Sequence, residues 1–217
     1  MSDILFIEAR KKFNLDEVDF SKLDSLPDGE ISLAATVQYL GLIKPVKEYL
    51  ESVGKKVSIR KGAYYEGHVL GCNPSAFDKS KELLLLLCDG QFHALNNSII
   101  LDKPIYVFNT RTLEKVDDKD LENYRKRKKS KQMKFLQEDK IGLIVSTKVG
   151  QKCLNCSGIK NKIEKLGKKV YLFESDDINV GELENFNDIK IWVNTACFGL
   201  ALDDHRIINF NDVLEFL

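Results

Sequence analysis

Apolar runs bounded by charge and glycine set the rhythm of the chain. Residues 4–7 read as a short buried strand opening the sequence, and residues 15–26 as a helix closed by the turn signal Pro27-Asp28-Gly29. Residues 31–37 give the next strand. Leu42, Val46, Tyr49 and Leu50 then recur at helical spacing until Gly54 stops them. A strand over 55–59 follows, and another apolar stretch, Gly67-His68-Val69-Leu70-Gly71-Cys72-Asn73, reads as a strand ending in a cysteine. Residues 81–88 and 105–108 add two more strands, with a loop entering a helix at 90–95 between them. In the second half, 141–147 and 189–193 read as strands, while Ile159, Ile163 and Leu166 mark a helix.

Gly167-Lys168-Lys169-Val170 repeats Gly54-Lys55-Lys56-Val57 letter for letter, within a similar succession of strands and helices. The repetition predicts a duplicated βαβ unit with Cys72 and Cys197 at equivalent places. The expected fold is α/β: two related βαβ-type domains with mostly parallel sheets flanked by helices. Residues 1–116 and 139–217 form the domains, and 117–138 a basic connecting helix carrying Arg125-Lys126-Arg127-Lys128-Lys129. That basic run reads first as a solvated helix face, with an RNA or acidic-protein contact as the alternative.

Composition narrows the classes of function. Of the 217 residues, 43% are hydrophobic and 30% charged, the mixture of a globular protein. Lys+Arg and Asp+Glu number 33 each, so the formal net charge is zero and nothing argues for nucleic-acid binding by overall charge. No apolar run is long enough to span a bilayer, and the N-terminal residues carry no basic leader, so a cytoplasmic location is expected. Five cysteines cannot all pair internally, and in a reducing compartment they read as core residues or ligands. There is no Gly-Lys-Ser/Thr phosphate loop, no Gly-x-Gly-x-x-Gly after a strand and no convincing Ser–His–acid order, so no catalytic residue is assigned. The cysteines are the best cofactor candidates. Cys88 ends an apolar strand and reads as core. His93 stands close enough in sequence to a strand end to serve a site or only a structural hydrogen bond. Cys153-Leu154-Asn155-Cys156 is a lone Cys-x-x-Cys, read from its residues as incidental thiols at a helix start.

Gly67 to Cys72 resembles the Gly-Gln-Val-Leu-Gly-Cys signature of the diphthamide-synthesis radical enzymes, the aminocarboxypropyl-histidine synthases of archaea and eukaryotes. The resemblance extends through Thr36-Val37-Gln38, Gly90-Gln91-Phe92-His93, residues 144–151, Thr195-Ala196-Cys197 and Leu202-Asp203-Asp204, so it covers nearly the whole chain. It implies three related α/β domains, each giving one cysteine to a single 4Fe-4S cluster that binds S-adenosylmethionine. The product would be an aminocarboxypropyl group on a histidine of translation elongation factor two. On that resemblance Cys72 and Cys197 are cluster ligands, with Cys153 or Cys156 standing in for the first domain's cysteine. Lys148, Gly150, Gln151, Gln38 and His93 are the cofactor-binding candidates.

Two departures stand out. The family's first domain is missing, which implies a homodimer or a heteromer with a separate first-domain chain or a full-length homologue. The family's Cys-Pro-Arg is Cys197-Phe198-Gly199 here, which removes a cation suited to holding a carboxylate. The alternatives are a non-catalytic scaffold or electron-delivery subunit, and an aminocarboxypropyl transferase with another substrate. No membrane and no direct nucleic-acid role is expected in any of them.

Overall fold

The computed structural model describes residues 7–153 and 155–217, so the expected opening strand falls mostly outside the described residues. The chain divides into two compact units, Met1–Leu121 and Glu122–Leu217.

The first unit is built on a five-stranded sheet. Its strands are β1 (Ile31–Ala35), β2 (Val57–Ser58), β3 (Leu83–Leu87), β4 (Tyr106–Phe108) and β5 (Leu113–Lys115), in the lateral order β2-β1-β3-β4-β5. All neighbours are parallel except β5, which returns antiparallel along β4. All five residues of β1 and of β3 are buried, because layers cover both faces of the sheet and a doubly covered strand shows no polar alternation. On one side Leu33, Leu85, Leu87 and Phe108 pack with Val46 and Leu50 of helix α1 (Ile43–Ser52). On the other, Ala34, Leu84, Leu86 and Val107 pack with Ala94 of helix α2 (Phe92–Leu101). The expected helix over 15–26 is instead two 3-10 segments, Leu15–Glu17 and Phe20–Ser25. Leu23 alone among their residues is buried, too little apolar surface to anchor a continuous helix.

Helix α3 (Asp118–Gln137) leads into the second unit and buries Phe135 in its core. That unit's sheet has strands β6 (Lys140–Ser146), β7 (Lys169–Ser175), β8 (Ile191–Asn194) and β9 (Ile207–Asn209) in the order β7-β6-β8-β9, all parallel. Helix α4 (Cys156–Glu164) covers one face through Ile159 and Ile163, and the short α5 (Leu200–Asp203) adds Ala201 to the other. Trp192 lies across Gly142, where an added Cβ would stand 2.0 Å from the indole. Among the described residues no helix is long and apolar enough to cross a membrane.

Both units therefore share one lateral order, second-first-third-fourth, and the repeated tetrapeptide opens the second strand in each. Gly54 (φ +84°) and Gly167 (φ +81°) turn the chain through the left-handed region that favours glycine. Lys55 Nζ donates to the carbonyls of Leu26 and Pro27, and Lys168 Nζ to those of Leu136 and Glu138, so each lysine ties down the segment entering its unit's first strand.

The expected equivalence of Cys72 and Cys197 does not hold. Residues 67–72 are not a strand: they touch the sheet through a single parallel bridge, His68 to Ala35, on the β2 side of β1. Cys72 thus follows the line of the second strand, whereas Cys197 follows β8, the third. The match of order arose because β2 is interrupted after Ser58 and its line resumes at Gly67, which reads in sequence as an extra strand.

Candidate functional site

Ligands of parallel α/β sheets gather beyond the carboxyl ends of the strands, and each unit presents cysteine there. In the first unit, Ala35 at the end of β1 accepts from Val69 N and donates to Gly67 O, which brings His68 onto the sheet. Gly62 makes the preceding excursion possible: its N–H donates to Tyr65, and a Cβ there would fall 1.9 Å from the His68 carbonyl oxygen. Leu70 and Asn73 then exchange both backbone hydrogen bonds, at 3.2 Å each, leaving Gly71 and Cys72 at the tip of a tight turn. Cys72 is exposed.

Helix α2 holds that turn in place. Asn97 Nδ2 donates to Leu70 O at 3.0 Å and to His93 O at 2.7 Å, while Gly71 lies so close to Phe92, His93 and Asn96 that a Cβ would meet Phe92 at 3.2 Å. Around it are buried polar atoms with no hydrogen-bond partner among the described residues: Thr36 Oγ1, both His68 nitrogens, and the Oδ1 atoms of Asn96 and Asn97. Burial lowers the pKa of His68, against a weaker opposing pull from Glu8, and burial lowers that of His93. Both imidazoles therefore favour the neutral form, which can donate from one nitrogen and accept at the other. His93 is thus brought to the Cys72 turn, whereas Gln38 lies exposed in the 3-10 segment after β1, its carbonyl accepting from Lys11 N. Cys88 is core, as its place at a strand end suggests: burial pushes its thiol up to about 12, and the thiol donates to Gly90 O.

In the second unit, β6 delivers Ser146 to an exposed turn. Ser146 Oγ accepts from Lys148 N and Gln151 N donates to Lys148 O, with Gly150 at φ +86° closing the loop. Lys148, Gly150 and Gln151 all lie in solvent at this carboxyl end. Contrary to the expectation of free thiols, Cys153 and Cys156 are paired as a disulfide at the head of α4, their Cα atoms 5.8 Å apart and their side chains against the core, with Asn155 capping the helix by accepting from Gly158 N. After β8, Asn194 braces the backbone of Cys197 itself, whereas Asn97 braces the turn two residues before Cys72. Asn194 Nδ2 donates to Cys197 O and to Asn209 Oδ1, both at 2.8 Å, and its Oδ1 accepts from Ala196 N. Cys197 is half-buried, and the buried Phe198 after it gives its carbonyl to Asn209. The positioning asparagines are missing from the sequence reading. Asn97 was visible there only as a residue one helical turn after His93, and Asn194 only as a polar end to an apolar strand. Among the described residues no three His, Cys, Asp or Glu side chains form a group that could hold a metal ion.

The model of the family of diphthamide synthesis proteins matches residues 1–211. The 2-(3-amino-3-carboxypropyl)histidine synthase of Pyrococcus horikoshii is 30% identical over 182 residues, which cover 81% of this chain and 52% of the relative. Subunit 1 of the corresponding synthase from Schizosaccharomyces pombe is 26% identical over 218 residues, 92% of this chain and 49% of that one. Among solved structures, Dph2 from Pyrococcus horikoshii superposes with a TM-score of 0.77 at 27% identity, covering 90% of this chain and 59% of its own. The same protein with a 4Fe-4S cluster gives 0.76 at 28% identity, covering 90% and 58%. The chain spans about half the length of the curated relatives it matches.

Proposed function

The chain belongs to the diphthamide synthesis family, and from that premise we propose that it serves the transfer of a 3-amino-3-carboxypropyl group to a histidine of translation elongation factor two. The family match over residues 1–211 carries this reading, and the presentation of Cys72 and Cys197 supports it. The donor set suits a 4Fe-4S cluster: thiolates are its ordinary ligands, and both cysteines stand at carboxyl ends with part of their surface open. When bound, such a cluster supplies an electron and an iron with room for S-adenosylmethionine, the donor of the group.

This chain's own residues do the rest. Asn97 and Asn194 hold the cysteine turns through main-chain carbonyls, which fixes the backbone from which each thiol projects. His68, with both ring nitrogens unpartnered among the described residues, and His93, which burial also keeps toward the neutral form, orient polar groups beside Cys72. Lys148 offers a cation to a carboxylate, while Gly150 lets backbone approach a ligand and Gln151 offers an amide. One of Cys153 and Cys156 supplies a further thiolate when the pair is reduced.

The naming of eukaryotic relatives as subunit 1 suggests an assembly, and we assign the chain to one in which a full-length homologue contributes to the ligand set. The test is anaerobic reconstitution with ferrous iron and sulfide, alone and with a full-length homologue. The expected outcome is a brown protein holding iron and acid-labile sulfide, lost in Cys72→Ser and in Cys197→Ser. Iron content unchanged in both variants refutes the ligand assignment. The naming of eukaryotic relatives as subunit 1 favours one other reading, an accessory subunit beside a catalytic homologue. Modification of the elongation factor's histidine, read by mass, survives both cysteine variants in that case.

A further inference from the structure

The cations of α3 are not equivalent. Lys126 is neutralised by Glu122 at 2.8 Å and Lys128 by Asp212 at 2.9 Å. Arg127, Lys131 and Lys134 stand at i, i+4 and i+7, on one face of the helix. With Ser130 they form one wall of a cleft of about 380 Å³, whose other wall is Leu202, Asp204 and His205. Lys131 lies at its half-buried floor, where Nζ donates to the carbonyls of Ala201 (2.5 Å) and Asp204 (2.8 Å) and keeps a third N–H to give. Arg127 and Lys134 have no carboxylate partner among the described residues. Among the described residues the one acid of the lining is already engaged: Asp204 takes Arg206 at 2.6 and 3.1 Å and accepts from the Arg206 backbone N–H as well.

We infer that this cleft is a binding site for a small ligand bearing a phosphate or diphosphate group. Uncompensated cations in a concave surface focus the field that attracts an anion. Arginine's planar fork and the lysines' point charges, beside a serine hydroxyl, are the donors that phosphate oxygens take. Arg127 and Lys134 are seven positions apart, about 10 Å along a helix axis, a span that a diphosphate bridges better than a single carboxylate. The volume is that of a small-molecule site. The ion pairs of Lys126 and Lys128 interrupt the basic stripe, and the chain carries no net charge, which disfavours a long polyanion tracking the helix.

The test is titration of the full chain with inorganic pyrophosphate at constant ionic strength, followed by calorimetry and by the rise in Tm. The double variant Arg127→Ala/Lys134→Ala, which leaves Lys131 and the core intact, is expected to lose at least about tenfold in affinity. Lys126→Ala, outside the cleft, is expected to bind as the parent does. Absence of binding by both pyrophosphate and a nucleoside diphosphate at millimolar concentration overturns the proposal, as does unchanged affinity in the double variant. Binding of a short single-stranded RNA without binding of pyrophosphate also overturns it, and makes the face an RNA surface instead.

Discussion

Set beside each other, the two units agree in their sheets and differ at their edges. Each places its strands in the order second-first-third-fourth, and each uses a glycine at positive φ followed by a lysine on two carbonyls to seat the second strand. In the second unit that strand, β7, runs beside β6 in register for seven residues, and the cysteine comes after the third strand. In the first unit its counterpart pairs for two residues, leaves for the Gly62 excursion and returns at His68, so the cysteine comes after the second. A repeated tetrapeptide therefore marks common scaffolding. The chemistry sits in whatever each unit does with the chain once the scaffold is made.

The largest test of the comparison is at two glycines. Gly142→Ala drives a methyl into the buried Trp192 ring and is expected to cost about 3 kcal/mol in urea unfolding of the second unit. Gly62→Ala meets backbone instead, but in an excursion rather than the core, and is expected to cost about half of that while loosening the Cys72 turn. Equal costs would make the excursion part of the core and weaken the contrast.

Next come the asparagines. Asn194→Ala removes three hydrogen bonds and is expected to cost about 2 kcal/mol, Asn97→Ala removes two and about 1 kcal/mol. Maleimide labelling should rise at Cys197 in the first variant and at Cys72 in the second. No change in either rate would mean that these amides do not position the thiols.

The shared lysines sharpen the likeness. Lys55→Met and Lys168→Met should each cost about 1.5 kcal/mol, within a few tenths of one another. A wide difference would show that only one unit depends on the anchor, and the Phe135 ring 5.6 Å from Lys168 Nζ would then be the reason to examine.

The most gradual effect is a pH slope. Cys88 stays neutral in the fold up to about 12, while an unfolded chain's thiol ionises near 9. Above pH 9 the unfolded state binds fewer protons, so this contribution to stability is whole below pH 9 and declines as pH rises toward 12. The parent should lose about 1 kcal/mol per pH unit there relative to Cys88→Ala, measured by urea unfolding from pH 8 to 10.5. Parallel profiles would contradict the burial of that thiol.

Much of this architecture was legible in residue order because buried strands announce themselves: the five leucines of β3 and the apolar run of β6 can go nowhere but inside. The long basic helix was legible from its polarity and spacing. β5 and β9 were not: β5 is mostly polar and exposed, and β9 is three residues following the charged run 203–206. The site was legible in its cysteines but not in their placement. What sets Cys72 on the second strand's line is a backbone excursion enforced by contacts of Gly62 and Gly67, and nothing local in the sequence distinguishes that from one more strand. Likewise, that Lys128 is already paired depends on Asp212, far along the chain.

The leucine run Leu83–Leu87 has a cost that its burial conceals. Five identical side chains cannot tell one alignment from the next, so sliding the strand by a residue would bury the same groups on the same two faces. The alignment has to be dictated from outside the run. The carboxylate of Glu82 accepting from Glu30 N at 2.9 Å, Lys81 gripping Glu30 at 2.6 Å, and Cys88 N donating to Phe108 O at the far end are the stops that keep the central strand from slipping.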